Sequence, residues 1–187
     1  MKTKTKKLST VSMVLCGMFA ALVAIGAFIQ IPVPYMDYFT LQFFFVLLAG
    51  LILGADKGAI SVGCYVLLGL VGVPIFAAGG GIGYIFRPSF GYLVGFIVSA
   101  YVTGKVCEKL KASYKNYLLA CLAGFVVTYA IGIVYKFIIL NFYAHTPATL
   151  GVIFLSCFPL DMPGDFVLCL LAAGVGLRMR KSGFYLS

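Results

Sequence analysis

Polar residues are sparse in this chain, and their positions divide it into six apolar runs. The first, residues 8–29, is 22 residues long without a charge, enough for a helix rising 1.5 Å per residue to cross a hydrocarbon layer about 30 Å thick. Ile31-Pro-Val-Pro34 ends it. Residues 38–53 and 59–73 form a second and a third run around the turn Gly54-Ala-Asp-Lys-Gly58. Both are short, so they must be tilted, interfacial at one end, or sheltered by neighbours. Residues 90–104 form the fourth run, and a basic connection over 105–115 leads to the fifth at 117–140, which one charge, Lys136, interrupts. A loop with His145 and Pro147 precedes the sixth, 150–177, which carries Pro159, Asp161, Pro163 and Asp165 near its start. The pattern predicts an all-α integral membrane protein with six transmembrane helices in a single membrane domain over residues 1–187.

The third and fourth runs are joined by the most unusual stretch of the chain. Gly79, Gly80 and Gly81 are consecutive, and Pro74 and Pro88 bracket them. This composition removes both helix propensity and backbone donors, so no helix is expected there. Ile75, Phe76, Ile82, Tyr84, Ile85 and Phe86 interleave with the glycines. An apolar, glycine-rich loop packs back on the protein and lets backbone approach a ligand closely; a tight helix–helix connection is the plainer alternative.

Composition agrees with a membrane protein. Of the 187 residues 63% are hydrophobic and 10% charged, and the mean hydropathy is +1.09, far more apolar surface than a soluble domain of this size needs. Lys2 to Lys7 precede the first run, but no small-residue cleavage site leads into a polar mature domain, so no cleaved signal is expected. With six spans and an inner N-terminus, twelve of the fourteen Lys and Arg residues fall on the cytoplasmic side, leaving Arg87 and Lys136 outside. This is the positive-inside bias and predicts a multi-pass protein of the cell membrane with both termini cytoplasmic. Residues 1–7 are then a basic cytoplasmic tail, 74–89 a glycine-rich outer loop and 105–116 a basic cytoplasmic loop. The net charge of +9 is accounted for by topology and the anionic inner leaflet, without nucleic acid. The six cysteines lie in apolar context with no C-x-x-C pair, and there is one histidine, so neither a disulfide framework nor a metal or haem centre is indicated, and no cofactor is expected.

The same topology gathers Asp37, Arg87, Lys136, Asp161 and Asp165 at the outer ends of helices. A charge within a span costs about 2.5–3.5 kcal/mol on insertion scales, so such groups should pair or line a cavity. Lys136 also reads as a lysine snorkelling to the interface, and Asp165, after Pro163-Gly164, as a helix N-cap or first-turn carboxylate. Asp161 reads as a solvated residue at the mouth, whereas Arg87 in an apolar loop calls for an anion. Together they suggest an outward-facing pocket, with arginine for a carboxylate, an acid for N–H donors, and glycine and aromatic walls. No nucleophile–base pair and no phosphate loop is present. The chain reads as a binder or carrier, not an enzyme, and it has no energy source of its own.

These residues lie within longer stretches that are characteristic together: A-F-I-Q-I-P at 27–32, T-L-Q-F-F-F-V-L-L-A-G-L-I-L-G at 40–54, Y-V-L-L-G-L-V-G-V-P-I-F-A-A-G-G-G at 65–81, P-S-F-G-Y-L-V-G-F at 88–96 and P-G-D at 163–165. In them the chain resembles, over nearly its whole length, the BioY family, the biotin-binding S components of energy-coupling factor (ECF) transporters. The resemblance implies a six-helix membrane protein that takes biotin from outside and works with a transmembrane coupling protein and two cytoplasmic ATPases; some members are reported to act without them. It implies that Arg87 holds the biotin carboxylate and Asp165 contacts the ureido ring. The family often has a lysine three residues after that aspartate; here the position is Leu168, and the contact is missing unless Lys136 or a backbone group substitutes. The candidate substrate contacts are therefore Arg87, Asp165, Lys136, Tyr84, Gly79, Gly80 and Gln42. Small residues spaced four apart on the first helix, Ala20 with Ala24 and Gly17 with Ala21, match the docking face for the coupling protein. An S component for another vitamin, riboflavin or thiamine, and a membrane scaffold in which Arg87 and Asp165 merely pair, are the alternatives.

Overall fold

The computed structural model describes residues 9–31, 39–144, 148–157 and 161–183. The tail lysines Lys2 to Lys7, and Asp37, His145, Pro147 and Pro159, lie outside the described residues. Seven α-helices occur among those that are described: α1 (Thr10–Phe28), α2 (Gln42–Leu53), α3 (Ala55–Val71), α4 (Phe90–Lys109), α5 (Tyr114–Ile138), α6 (Leu150–Cys157) and α7 (Asp161–Lys181). Four segments, α1, α4, α7 and α5 with its extension to Tyr143, are long and apolar enough to cross a membrane. α2 is apolar but shorter, as its run of residues suggested. The expected sixth helix is two, α6 and α7. Residues 158–160, between the two, lie outside the described residues.

Local chemistry explains the boundaries. Ser9 caps α1, its hydroxyl accepting from the Ser12 N–H at 3.2 Å. After α1 the chain is extended: β1 (Gln30–Ile31) pairs antiparallel with β2 (Phe39–Thr40), in register Gln30 with Thr40. This small ribbon delays α2 to Gln42, later than the apolar run at 38 suggested. α3 ends at Gly72, whose φ of 117° lies in the left-handed region, where a side chain would be strained. Past the glycine triplet, residues Ile82–Phe86 form a short 3₁₀ helix, contrary to the expectation of no helix in this loop. Only one glycine falls within it, and single i→i+3 bonds suffice, with Tyr84 donating to Gly81 O and Arg87 to Tyr84 O, each at 3.0 Å.

The core is built by α2, α4, α5 and α7, with α1 and α3 packed beside them. α4 and α5 approach through small residues. A Cβ at Gly95 would lie 3.0 Å from Thr128 O, and one at Gly124 would lie 2.6 Å from Ser99 Oγ. At one end of the bundle a Cβ on Gly104 would meet the backbone of Ala55 at 2.4 Å, so α4 abuts the α2–α3 turn directly. Glu108 reinforces that contact, its carboxylate accepting from the Ala55 N–H at 2.9 Å and pairing with Lys105 at 3.7 Å. Arg180 donates to Tyr117 Oη at 3.1 Å at the same end. The basic ends of α4 and α7 are thus together, and the start of α7, the start of α4 and the end of α5 meet at the other.

Candidate functional site

At that second end the helices enclose an open cavity of about 800 Å³, its mouth included. β2 and the start of α2 supply Phe39, Thr40, Gln42 and Phe43, and the glycine-rich loop supplies Ala77, Ala78 and Tyr84. Ser89, Tyr92, Leu93 and Phe96 come from the start of α4, Tyr129 and Lys136 from α5, and Asp161 and Asp165 from α7. The wall thus combines six aromatic residues with six polar or charged ones, a mixture of apolar surface and orienting groups that suits a small molecule. Phe43 stacks on Phe96 with centroids 5.9 Å apart, and Tyr129 meets Phe125 at 4.7 Å and Tyr92 at 5.8 Å, which holds the rings in fixed orientations.

Asp165 belongs to the second turn of α7, not its cap. The helix begins at Asp161, because Pro163 in the first turn needs no N–H there. Tyr129 Oη donates to Asp165 Oδ2 at 2.8 Å. Oδ2 thus accepts one hydrogen bond from the wall, and the carboxylate keeps further acceptor capacity, chiefly at Oδ1. Lys136 is seven residues after Tyr129 on α5, so the two side chains share a face about 10 Å apart along the helix. Its ammonium donates to Ser156 Oγ at 3.3 Å.

Gln42 is also built in. Only 4% exposed, it donates through Nε2 to Tyr65 Oη at 2.6 Å and accepts from Thr40 at 3.2 Å. Tyr65 donates on to Ile75 O at 3.2 Å. The chain of bonds ties the floor of the cavity to the glycine-rich loop.

Of the residues singled out from the sequence, Asp165, Lys136, Tyr84 and Gln42 come together in the cavity wall, whereas Arg87, Gly79 and Gly80 do not line it. Gly79 and Gly80 shape the loop instead. Gly79 exchanges hydrogen bonds with Phe76 at a φ of 108°, and a Cβ on Gly80 would sit 2.3 Å from Val73 O. Arg87 is exposed, with its guanidinium 5.3 Å from the centroid of the Tyr84 ring, a cation–π contact at the rim. Arg87 and Asp165 form no salt bridge with one another among the described residues, which removes the pairing on which the scaffold reading rested. Leu168, where a lysine was expected, is buried in the core at 6% exposure. Asp161, expected at the mouth, is half-buried in the wall.

Sequence reasoning missed Tyr129 and Tyr92. The spacing of Tyr129 from Lys136 (i, i+7) was a usable signal for one face, but nothing local ties Tyr129 to a carboxylate 36 positions away. On α1 the two small-residue pairs divide. Ala20 is in the core, on the buried stripe with Cys16, Val23 and Ala27, and Ala24 is half-buried, whereas Gly17 and Ala21 are exposed. The 3.6-residue period turns Ala20 inward and leaves Gly17 and Ala21 on the outer face of α1.

A protein-family model described as the BioY family matches residues 1–183. The chain belongs to the BioY family. Among relatives of this BioY chain, the probable biotin transporter BioY of Lysinibacillus sphaericus is 40% identical over 177 residues, covering 94% of this chain and 90% of the relative. The biotin transporter BioY of Thermotoga maritima is 39% identical over 169 residues, covering 88% and 93%. Among solved structures, the S-component for biotin from an ECF-type ABC transporter is similar with a TM-score of 0.81 and 25% identity, over 97% of this BioY chain and 95% of that one. The family membership and the long apolar helices make this a multi-pass membrane protein.

Proposed function

We propose that this chain is the biotin-binding S component of an ECF-type vitamin transporter, in which six transmembrane spans hold an outward-facing pocket. The observation that carries the reading is the Asp165–Tyr129 pair inside an aromatic cavity, with a cation two helical turns along the same wall. Biotin is an apolar fused ring with two ureido N–H donors at one end and a carboxylate at the other. Asp165 Oδ1 accepts one ureido N–H, the rings of Tyr92, Phe96 and Tyr129 flank the bicycle, and the valerate tail runs toward the mouth. Lys136 on the wall and Arg87 on the rim provide positive charge at that end. The loop that carries Arg87 is tied to α5 beside Lys136, because Tyr135 donates to Ile85 O. The rise of about 10 Å between Tyr129 and Lys136 suits a bicycle with a four-carbon tail.

Transport needs partners, because the chain carries no phosphate-binding loop. In this reading they are a transmembrane coupling protein and two cytoplasmic ATPases, with docking on the exposed Gly17–Ala21 face of α1. The basic ends of α4 and α7 and both termini face the cytoplasm of a cell membrane, following the positive-inside bias. The relatives' names and the similarity to an ECF-type S-component support the substrate and the type of partnership. Titration of the purified protein with labelled biotin tests the reading. Saturable binding displaced by unlabelled biotin, and not by riboflavin or thiamine, is expected. Displacement by either of those vitamins would assign the pocket elsewhere, and no saturable ligand at all would favour a scaffold.

A further inference from the structure

The cavity wall is also bonded to α6, which does not line it. α6 packs against α5, and two consecutive side chains at its end meet wall residues. Ser156 Oγ is 3.3 Å from Lys136 Nζ, and Cys157 Sγ is 3.0 Å from Tyr92 Oη. Ser156 also donates to Ile153 O at 2.6 Å. A serine hydroxyl has a single proton. With that proton on Ile153 O, only lone pairs face Lys136, so Ser156 is purely an acceptor there. Lys136 has three N–H donors and no acceptor. Ser156 therefore fixes the direction of one donor while adding no negative charge, and among the described residues no carboxylate forms a salt bridge with Lys136.

That combination distinguishes this lysine from one merely tolerated near the interface. A lysine stem is long and flexible, and without a partner its ammonium turns to water. A carboxylate partner would hold it but neutralise it. A neutral acceptor holds it and leaves its charge for an anion. We propose that Ser156 of α6 is a positioning residue, holding the Lys136 ammonium against the cavity wall as the cation that receives the ligand's carboxylate. This deepens the biotin-binding reading and rests on it. Cys157 secures the same turn of α6 to Tyr92, so Ser156 keeps its place when a ligand takes the other donors of Lys136. Arg87, out on the Tyr84 ring, is then left to the rim.

The test compares biotin with its carboxamide, which has no charge at the tail, on the full-length purified protein. Ser156→Ala should weaken biotin about tenfold, in line with the loss of a hydrogen bond to a charged group, and change the carboxamide less than about twofold. Ser156→Thr, which keeps the acceptor, should restore biotin binding to within about threefold of wild type. Lys136→Met should erase the preference for acid over amide, and adding Ser156→Ala to it should cost nothing more. Equal losses for the two ligands in Ser156→Ala would overturn the proposal, as would no loss for either. So would a tenfold loss of biotin that persists when Ser156→Ala is added to Lys136→Met. Wild-type protein that binds neither ligand would overturn the biotin reading itself, a result visible before any variant is made.

Discussion

The pairing of Tyr129 with Asp165 makes an unusual prediction, that a second substitution repairs the first. Tyr129 Oη donates to Asp165 Oδ2 at 2.8 Å, and in the proposed reading Oδ1 accepts the ureido N–H. In Asp165→Asn the shape is unchanged, but the side chain has a single acceptor oxygen and an amide with two donors. The Tyr129 hydroxyl is in the wall of the cavity with its proton aimed at this residue, and it claims the oxygen. The amide then faces the ureido N–H, donor against donor. The loss comprises a charge-assisted hydrogen bond, about 1.5–3 kcal/mol, and an unsatisfied pair of buried donors; a total of about 2–4 kcal/mol corresponds to roughly 30- to 1,000-fold in Kd. Tyr129→Phe alone leaves both carboxylate oxygens free to accept, and should weaken biotin less than about tenfold. In the double variant the phenyl ring that replaces the phenol makes no demand, the amide can flip, and its oxygen can accept the ureido N–H. Titration with labelled biotin should therefore find Asp165→Asn/Tyr129→Phe tighter than Asp165→Asn by about 5- to 30-fold. The carboxamide of biotin should follow the same order, because the contact is remote from the tail. Additive losses in the double variant would refute the reasoning, because independent sites add and a shared hydrogen bond does not.

Three other outcomes are expected. In a background without native cysteines, Ile82→Cys in the 3₁₀ helix should be labelled in intact cells by an impermeant thiol reagent and Ser113→Cys only after lysis; the reverse pattern would invert the topology. Ala21→Leu should abolish ATP-driven uptake while leaving biotin affinity within about threefold, whereas Ala20→Leu should lower thermal stability, since overpacking a core costs about 1–3 kcal/mol; equal behaviour of the two would show that α1 presents no separate docking face. Tyr65→Phe removes a hydroxyl that is both acceptor for Gln42 and donor to Ile75 O. Leaving the buried Gln42 amide unpaired, at about 1–3 kcal/mol, and the half-buried Ile75 O without its donor, it should lower the melting temperature and weaken acid and amide alike; an unchanged melting temperature would mean that this relay does not hold the loop.

Several properties were legible in the residues alone because they depend on local, additive quantities. Hydropathy summed over windows located α1, α4 and α5, and counting charges set Arg87 and Lys136, which lie at the cavity end, apart from the other Lys and Arg residues. The glycine triplet announced a non-helical approach, since Gly79 adopts a backbone angle other residues avoid. The candidates Asp165, Lys136, Tyr84 and Gln42 were legible because a polar group in an apolar run is expensive and needs a reason. Tertiary structure decided the rest. The run after residue 150 reads as one helix by hydropathy, and the fold assigns it to α6 and α7. Whether Ala20 or Ala21 faces out depends on which neighbours α1 packs against, because both pairs have the same spacing. The depth of Arg87 was not legible either, because composition cannot give it; in the fold Arg87 is exposed and outside the cavity wall that Lys136 lines. Tyr129 and Asp165, or Lys136 and Ser156, are partners because α5, α6 and α7 fold side by side. Each residue's own sequence neighbourhood is compatible with many partners, and long-range packing selects one.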